Sequence, residues 1–134
     1  MRANYEPIPA DTERVATAIY EGAFRVHRAL GPGLLESVYE ACLEHELRRL
    51  GLAVERQVAL PVVYDGVSLE AGLRLDLRVE GLVIVELKAV EKMIPLYEAQ
   101  VLTYLKLTGL RLGLLINFNV RLIKDCLLYT SPSP

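Results

Sequence analysis

The order of apolar periodicities along this 134-residue chain predicts an α/β fold with a small mixed sheet of about four strands flanked by helices. Two stretches of helical period come first and three strand-like runs follow. A further helical stretch then separates the third strand from a last apolar strand. A helix placed there is a crossover, which permits one parallel pairing in an otherwise antiparallel sheet.

Asp11 is placed to cap a first helix over 11–30, with Val15, Ala18, Ile19, Ala23 and Val26 at helical spacing. Gly31-Pro32-Gly33 breaks it and launches a second helix over 34–50, closed by Gly51. That helix is expected to bury Leu35, Val38, Tyr39, Cys42, Leu43, Leu47 and Leu50, and to expose Glu40, Glu44, Arg48 and Arg49. Residues 53–64 read as a strand, and Asp65-Gly66 as a tight turn into the next. The runs 73–79 and 82–88 flank Glu80-Gly81 and read as a hairpin. Pro95 opens a third helix to about Thr108, ended by Gly109, and 112–118 form the last strand.

With 52% hydrophobic and 24% charged residues, the chain can bury a core as one domain without metal or disulfide support. Arg111 and Asn117 interrupt the longest apolar run, so none reaches membrane-spanning length. The first seven residues lack the apolar stretch of a signal peptide. Cys42 and Cys126 are far apart, without metal-site spacing, which suits a reducing cytosol; a cytoplasmic protein is expected. A net charge of −2 argues against a general nucleic-acid coating protein. Against that, eleven of the fifteen basic residues are Arg, the side chain suited to phosphate. Carboxylates in a metal site would also be neutralised by the cation.

The chemistry concentrates in Asp76 and Glu86-Leu87-Lys88. Two carboxylates and a lysine on one sheet can hold a divalent cation and a water beside a phosphodiester, whereas an apolar strand gains no packing from Glu86 and Lys88. Glu86 and Lys88, two apart, share a face. Asp76 joins them only if the turn is odd. A two-residue loop at Glu80-Gly81 would put Asp76 across from Val85, on the opposite face from Glu86. A three-residue loop pairing Arg78 with Leu82 makes Asp76 and Glu86 diagonal neighbours, with Arg74 opposite Glu86. The structural alternative is a salt-bridged strand pair involving Arg74 and Arg78.

Other constellations read two ways. Glu36 and Tyr39 are neighbours at the start of the second helix, where a Glu complements the helix dipole and a Tyr can be core. Gln100 and Tyr104 are four apart on the third helix, and the Gln is either a surface residue or a buried amide needing a partner. His27 reads as a helix C-terminal histidine rather than a ligand.

Taken in order, these motifs resemble the PD-(D/E)xK nuclease superfamily, with Gln100-x-x-x-Tyr104 similar to its RecB-like branch. Gly33-Leu34-Leu35-Glu36-Ser37-Val38-Tyr39 resembles the signature of the GxxExxY family within it. The likeness spans about 26–125 and includes Arg74-x-Asp76, Val85-Glu86-Leu87-Lys88 and Gly113-Leu114-Leu115-Ile116-Asn117-Phe118. Leu75 stands where the superfamily name has proline.

The resemblance implies a restriction-endonuclease-like αβββαβ core and a metal-dependent phosphodiesterase acting on nucleic acid, with DNA or RNA left open and a homodimer allowed. Mg²⁺ or Mn²⁺ would be held by Asp76, Glu86, the Leu87 carbonyl and Glu36. Lys88 would orient the attacking water or stabilise the developing charge, and Gln100 would fix Lys88 or the water. Arg74 and Tyr104 would meet substrate or support its neighbours. The alternative is a catalytically silent binding module on the same fold. The domain is expected over 1–125. Residues 126–134, Cys126-Leu127-Leu128-Tyr129-Thr130-Ser131-Pro132-Ser133-Pro134, depart from the family and resemble translated adaptor sequence, so they are expected to add little to the core.

Overall fold

The computed structural model describes residues 7–123 and 127–130; the expectations for 1–6, Cys126 and 131–134 lie outside them. In chain order the elements are α1 (Ala10–Leu30), α2 (Glu36–Arg49), β1 (Val54–Tyr64), β2 (Val67–Val79), β3 (Val83–Lys88), α3 (Pro95–Thr108), β4 (Leu112–Asn117) and β5 (Leu127–Thr130). The sheet has five strands in the order β1-β2-β3-β4-β5, one more than expected. Only β3 and β4 run parallel, because α3 carries the chain back across the sheet between them. The fifth strand pairs antiparallel with β4, from Leu112↔Thr130 to Leu115↔Leu127. Four residues assigned to a non-family tail therefore belong to the sheet. Among the described residues no helix is long and apolar enough to cross a membrane.

The helices pack on opposite faces of the sheet. On one face, Val15, Ile19, Ala23 and Val26 of α1 and Tyr39, Leu43 and Leu47 of α2 meet Leu77, Val79, Val83, Val85, Leu87, Leu114 and Ile116. On the other, Val101 and Leu105 of α3 meet Leu60, Leu75, Ile84 and Leu115. Gly113 brings α3 close to β4: a Cβ there would lie 2.7 Å from Val101 Cγ1.

Several local expectations change. The position capping α1 is Pro9, and Asp11 lies inside the first turn, where its carboxylate accepts the Thr12 N–H. Leu34 and Leu35 precede α2, because Gly33 adopts a left-handed φ and Leu35 remains extended. Leu35 and Leu50 lie at the ends of that helix and are exposed, as is Val38, while Glu40 is buried. The Gly-Pro-Gly turn closes around Tyr39, whose hydroxyl donates to the Gly31 carbonyl (2.5 Å) and accepts from Leu34 N–H (3.1 Å). Its ring stacks on Phe118, with centroids 4.7 Å apart. His27 is buried beside Phe118, its Nε2 bonded to the Val120 carbonyl at 2.7 Å.

The close approach at Gly113 has a measurable consequence. Gly113→Ala should destabilise the fold by roughly 1–3 kcal/mol through overpacking against the stiff Val101. A lower urea midpoint would register this, and Val101→Ala in the same chain should recover part of the loss. An unchanged midpoint in the single variant would show that α3 can move aside.

Candidate functional site

The site forms where a regular ladder stops. Val79 pairs with Val83 across a three-residue loop, Glu80-Gly81-Leu82, so opposite residues number 162 in sum. Glu80 and Gly81 both take left-handed φ, and Glu80 is tied back to Ala53 through its own N–H and carboxylate. The loop is odd, as a shared site needs, but displaced by one residue from the expected pairing. Asp76 therefore comes directly across from Glu86, not diagonal to it. Arg74 does not face Glu86; it lies opposite Ala59 of β1, exposed, with Nη1 donating to the Gln57 carbonyl at 3.3 Å.

Regular β2–β3 pairing ends at Leu77↔Val85. At the next rung, side chains replace backbone partners. Asp76 N–H donates to Glu86 Oε1 (3.0 Å), and Leu87 N–H donates to Asp76 Oδ2 (2.8 Å). The same position is irregular on the β1 side, where Arg56↔Leu77 and Val58↔Leu75 pair but Gln57 and Asp76 do not. Gln57 has a φ of 54°, which a side chain rarely adopts in a strand. Across this break the hairpin changes face: Val54, Leu77 and Val79 pack with α1 and α2, whereas Val58, Leu60, Leu73 and Leu75 pack with α3.

Helix α2 brings two further acids. Glu36, half-buried, opens it, and Glu40 follows one turn later with 5% of its surface exposed. Glu40 Oε2 accepts from Arg56 Nε (2.6 Å), and its two oxygens accept from Gln57 Nε2 (2.9 and 3.1 Å). Lys88, at the end of β3, holds its ammonium 4.5 Å from the centre of the Tyr97 ring. Tyr97, Gln100 and Tyr104 recur along one side of α3 at spacings of three and four. Gln100 is half-buried, and among the described residues no hydrogen bond ties it to the acids.

The electrostatics record this crowding. Burial pushes the Asp76 carboxyl up to about 6, with Glu40 and Glu36 adding to the rise and the Leu87 N–H and Lys88 opposing it. Burial and then Asp76 push Glu86 up to about 8, against the Asp76 N–H and Lys88. Burial, followed by Glu86 and Asp76, also raises the Tyr104 hydroxyl. Asp76 and Glu86 titrate as a pair.

The donor set suits a hard divalent cation, because Asp76 Oδ1 and Glu86 Oε2 remain without a hydrogen bond among the described residues. Also among these residues, no three His, Cys, Asp or Glu side chains are arranged to hold a metal ion as they stand. The acid pair is in place, then, without a third acid, His or Cys side chain gathered beside it among the described residues.

Glu40, Arg56, Gln57 and Tyr97 escaped the reading of the sequence. Glu36-x-x-x-Glu40 carried a signal, since two acids one turn apart share a helix face. Tyr97 carried one in its spacing of three from Gln100. Nothing local marked Gln57.

A model of the PD-(D/E)XK nuclease superfamily matches residues 13–127 of the chain. Neither the curated proteins nor the solved structures provide a match.

Because their folded-state pKa values are raised, Asp76 and Glu86 contribute most to stability below about pH 4, where both are protonated in either state. That contribution is lost as pH rises through about 6 and about 8. Metal-free protein should therefore become easier to unfold in urea between pH 5 and pH 9, and Glu86→Gln should flatten the decline. Identical pH profiles for variant and wild type would contradict the coupling described here.

Proposed function

Since the chain belongs to the PD-(D/E)XK nuclease superfamily, we propose that it is a metal-dependent phosphodiesterase acting on nucleic acid, with its centre at Asp76, Glu86 and Lys88. The observation that carries this reading is the Asp76–Glu86 pair, in which each carboxylate accepts an amide N–H from the facing strand just where the backbone ladder has stopped. A buried and a half-buried acid of raised pKa are poorly matched to a structural role, and a cation between them would remove their repulsion. The Gly33-x-x-Glu36-x-x-Tyr39 signature favours the GxxExxY family within the superfamily.

In this reading Asp76 and Glu86 hold Mg²⁺ or Mn²⁺, with the Leu87 carbonyl and Glu36 as further ligands. The cation would polarise the scissile phosphate and lower the pKa of a bound water. Lys88 supplies a positive charge beside the acids, as its lowering of both their pKa values indicates, and orients the water or stabilises charge on the phosphate. Tyr97 limits where that ammonium can go. Gln100 lies on the α3 face between Tyr97 and Tyr104, within the helix segment that flanks the acids, and Tyr104 supports Glu86. Arg74, exposed at the outer half of the hairpin, is left to meet phosphate rather than to steady Glu86.

The rival reading, a silent module that keeps the fold for a protein or nucleic-acid partner, draws on the lack of a third acid, His or Cys side chain gathered at the pair among the described residues. Cleavage separates the two. A panel of single- and double-stranded DNA and RNA should be cut only with Mg²⁺ or Mn²⁺ present. Lys88→Ala and Glu86→Gln should each slow cleavage by roughly 10²–10³-fold or more. Equal cutting by Glu86→Gln and wild type, in preparations free of contaminating nuclease, would remove the proposed centre. No Mn²⁺ binding by wild type, together with no cleavage, would favour the silent module.

A further inference from the structure

The acid pair depends on a break in the hairpin, and the break has a visible holder. Gln57 is the residue at which β1 changes face, and its φ of 54° is costly for a residue with a side chain. Such a conformation persists only where its surroundings over-determine it. Here both carboxylate oxygens of the buried Glu40 accept from the Gln57 amide, and Arg56 secures the same carboxylate from the preceding position. Arg56 also reaches Glu44 at 3.4 Å, which anchors the strand to α2 at a second point. Directly across from Gln57 is Asp76, the residue left unpaired on β2.

We infer that Glu40 is a positioning residue for the site: by gripping Gln57 it holds the hairpin broken at this rung and aims Asp76 and Glu86 at a common cation. This rests on the metal-site reading above but adds to it. Without the grip, Gln57 relaxes to extended backbone, the outer hairpin realigns, and the two carboxylates lose their relative placement. Glu40 lies on α2, so the helix that carries Glu36 also sets the geometry of the strand acids. For positioning, the reach of Glu40 to Gln57 matters more than its charge.

Three variants separate reach from charge and from general strand stability. Glu40→Asp keeps the charge and shortens the reach, and should weaken Mn²⁺ binding at least tenfold by calorimetry. Glu40→Gln keeps the reach and one oxygen to accept from Gln57 but gives up the Arg56 ion pair, and should lose clearly less affinity than Glu40→Asp. Glu55→Ala removes the neighbouring Arg78–Glu55 pair (2.7 Å) between the same strands, and should bind nearly as wild type. A second readout is the Leu87 amide resonance, which reports its bond to the Asp76 carboxylate. It should shift most in Glu40→Asp and stay in place in Glu55→Ala. Wild-type affinity and an unshifted amide in Glu40→Asp, or an equal loss in Glu55→Ala, would overturn the inference. If wild type binds no Mn²⁺, the metal-site reading fails by itself, and the Leu87 amide still decides whether Glu40 holds the break.

Discussion

Everything distinctive about this sheet follows from one rung at which two carboxylates stand where backbone bonds would ordinarily be. Beyond Leu77↔Val85 the backbone ladder between β2 and β3 is not continued. Instead each carboxylate takes an amide from the other strand, at 3.0 and 2.8 Å. The exchange satisfies the amides but keeps two acids side by side in a poorly solvated place, and both pKa values rise accordingly. Lys88 offsets part of the repulsion, and Glu36 and Glu40 add to it. The arrangement costs stability in the metal-free protein. A binding centre tolerates such a cost; a purely structural strand pair gains nothing from it.

The surrounding fold is organised to keep that rung open. Tyr39 packs against Phe118 and closes the Gly31 turn with its hydroxyl, which fixes where α2 begins. Glu36 and Glu40 are carried from that point along one helix face. The tyrosine of the Gly-x-x-Glu-x-x-Tyr spacing is thus a core residue that fixes where its glutamate sits. On the other side of the sheet, the close contact of Val101 with Gly113 sets the depth of α3, and with it the position of Tyr97 and Tyr104 against Lys88 and Glu86. Asn117 finishes the frame: its side chain bonds both the N–H and the C=O of Val90, which pins the chain leaving β3 just after Lys88.

What could be read from residues alone followed from short-range rules. The Asp65-Gly66 turn, the Pro95 start and Gly109 end of α3, and the apolar stripe of α1 all depend on φ preferences and spacing, and all are found where expected. The antiparallel hairpin and the parallel crossover followed from element order. Glu40 was misread because helix periodicity assigns an acid flanked by exposed positions to solvent, whereas here Arg56 and Gln57 of a distant strand cover it. The fifth strand was not foreseen, because its composition carried no strand signal of its own, while the edge of β4 offers backbone groups to an extended neighbour.

The amino-acid sequence by itself determined the element order, the hairpin at Glu80-Gly81, and the spacing that puts Glu86 with Lys88 and Glu36 with Glu40. Each of these depends on periodicity or on the conformational range of one or two residues. Tertiary structure alone decided the register that sets Asp76 directly opposite Glu86, the break at Gln57, and the company of Lys88 with Tyr97. Register shifts by one residue without any change in local preference, and a left-handed Gln inside a strand is disfavoured by every local rule. Gln57 is held there by bonds from other elements: its side-chain amide donates to Glu40, seventeen residues earlier, and its carbonyl accepts from Arg74 of β2.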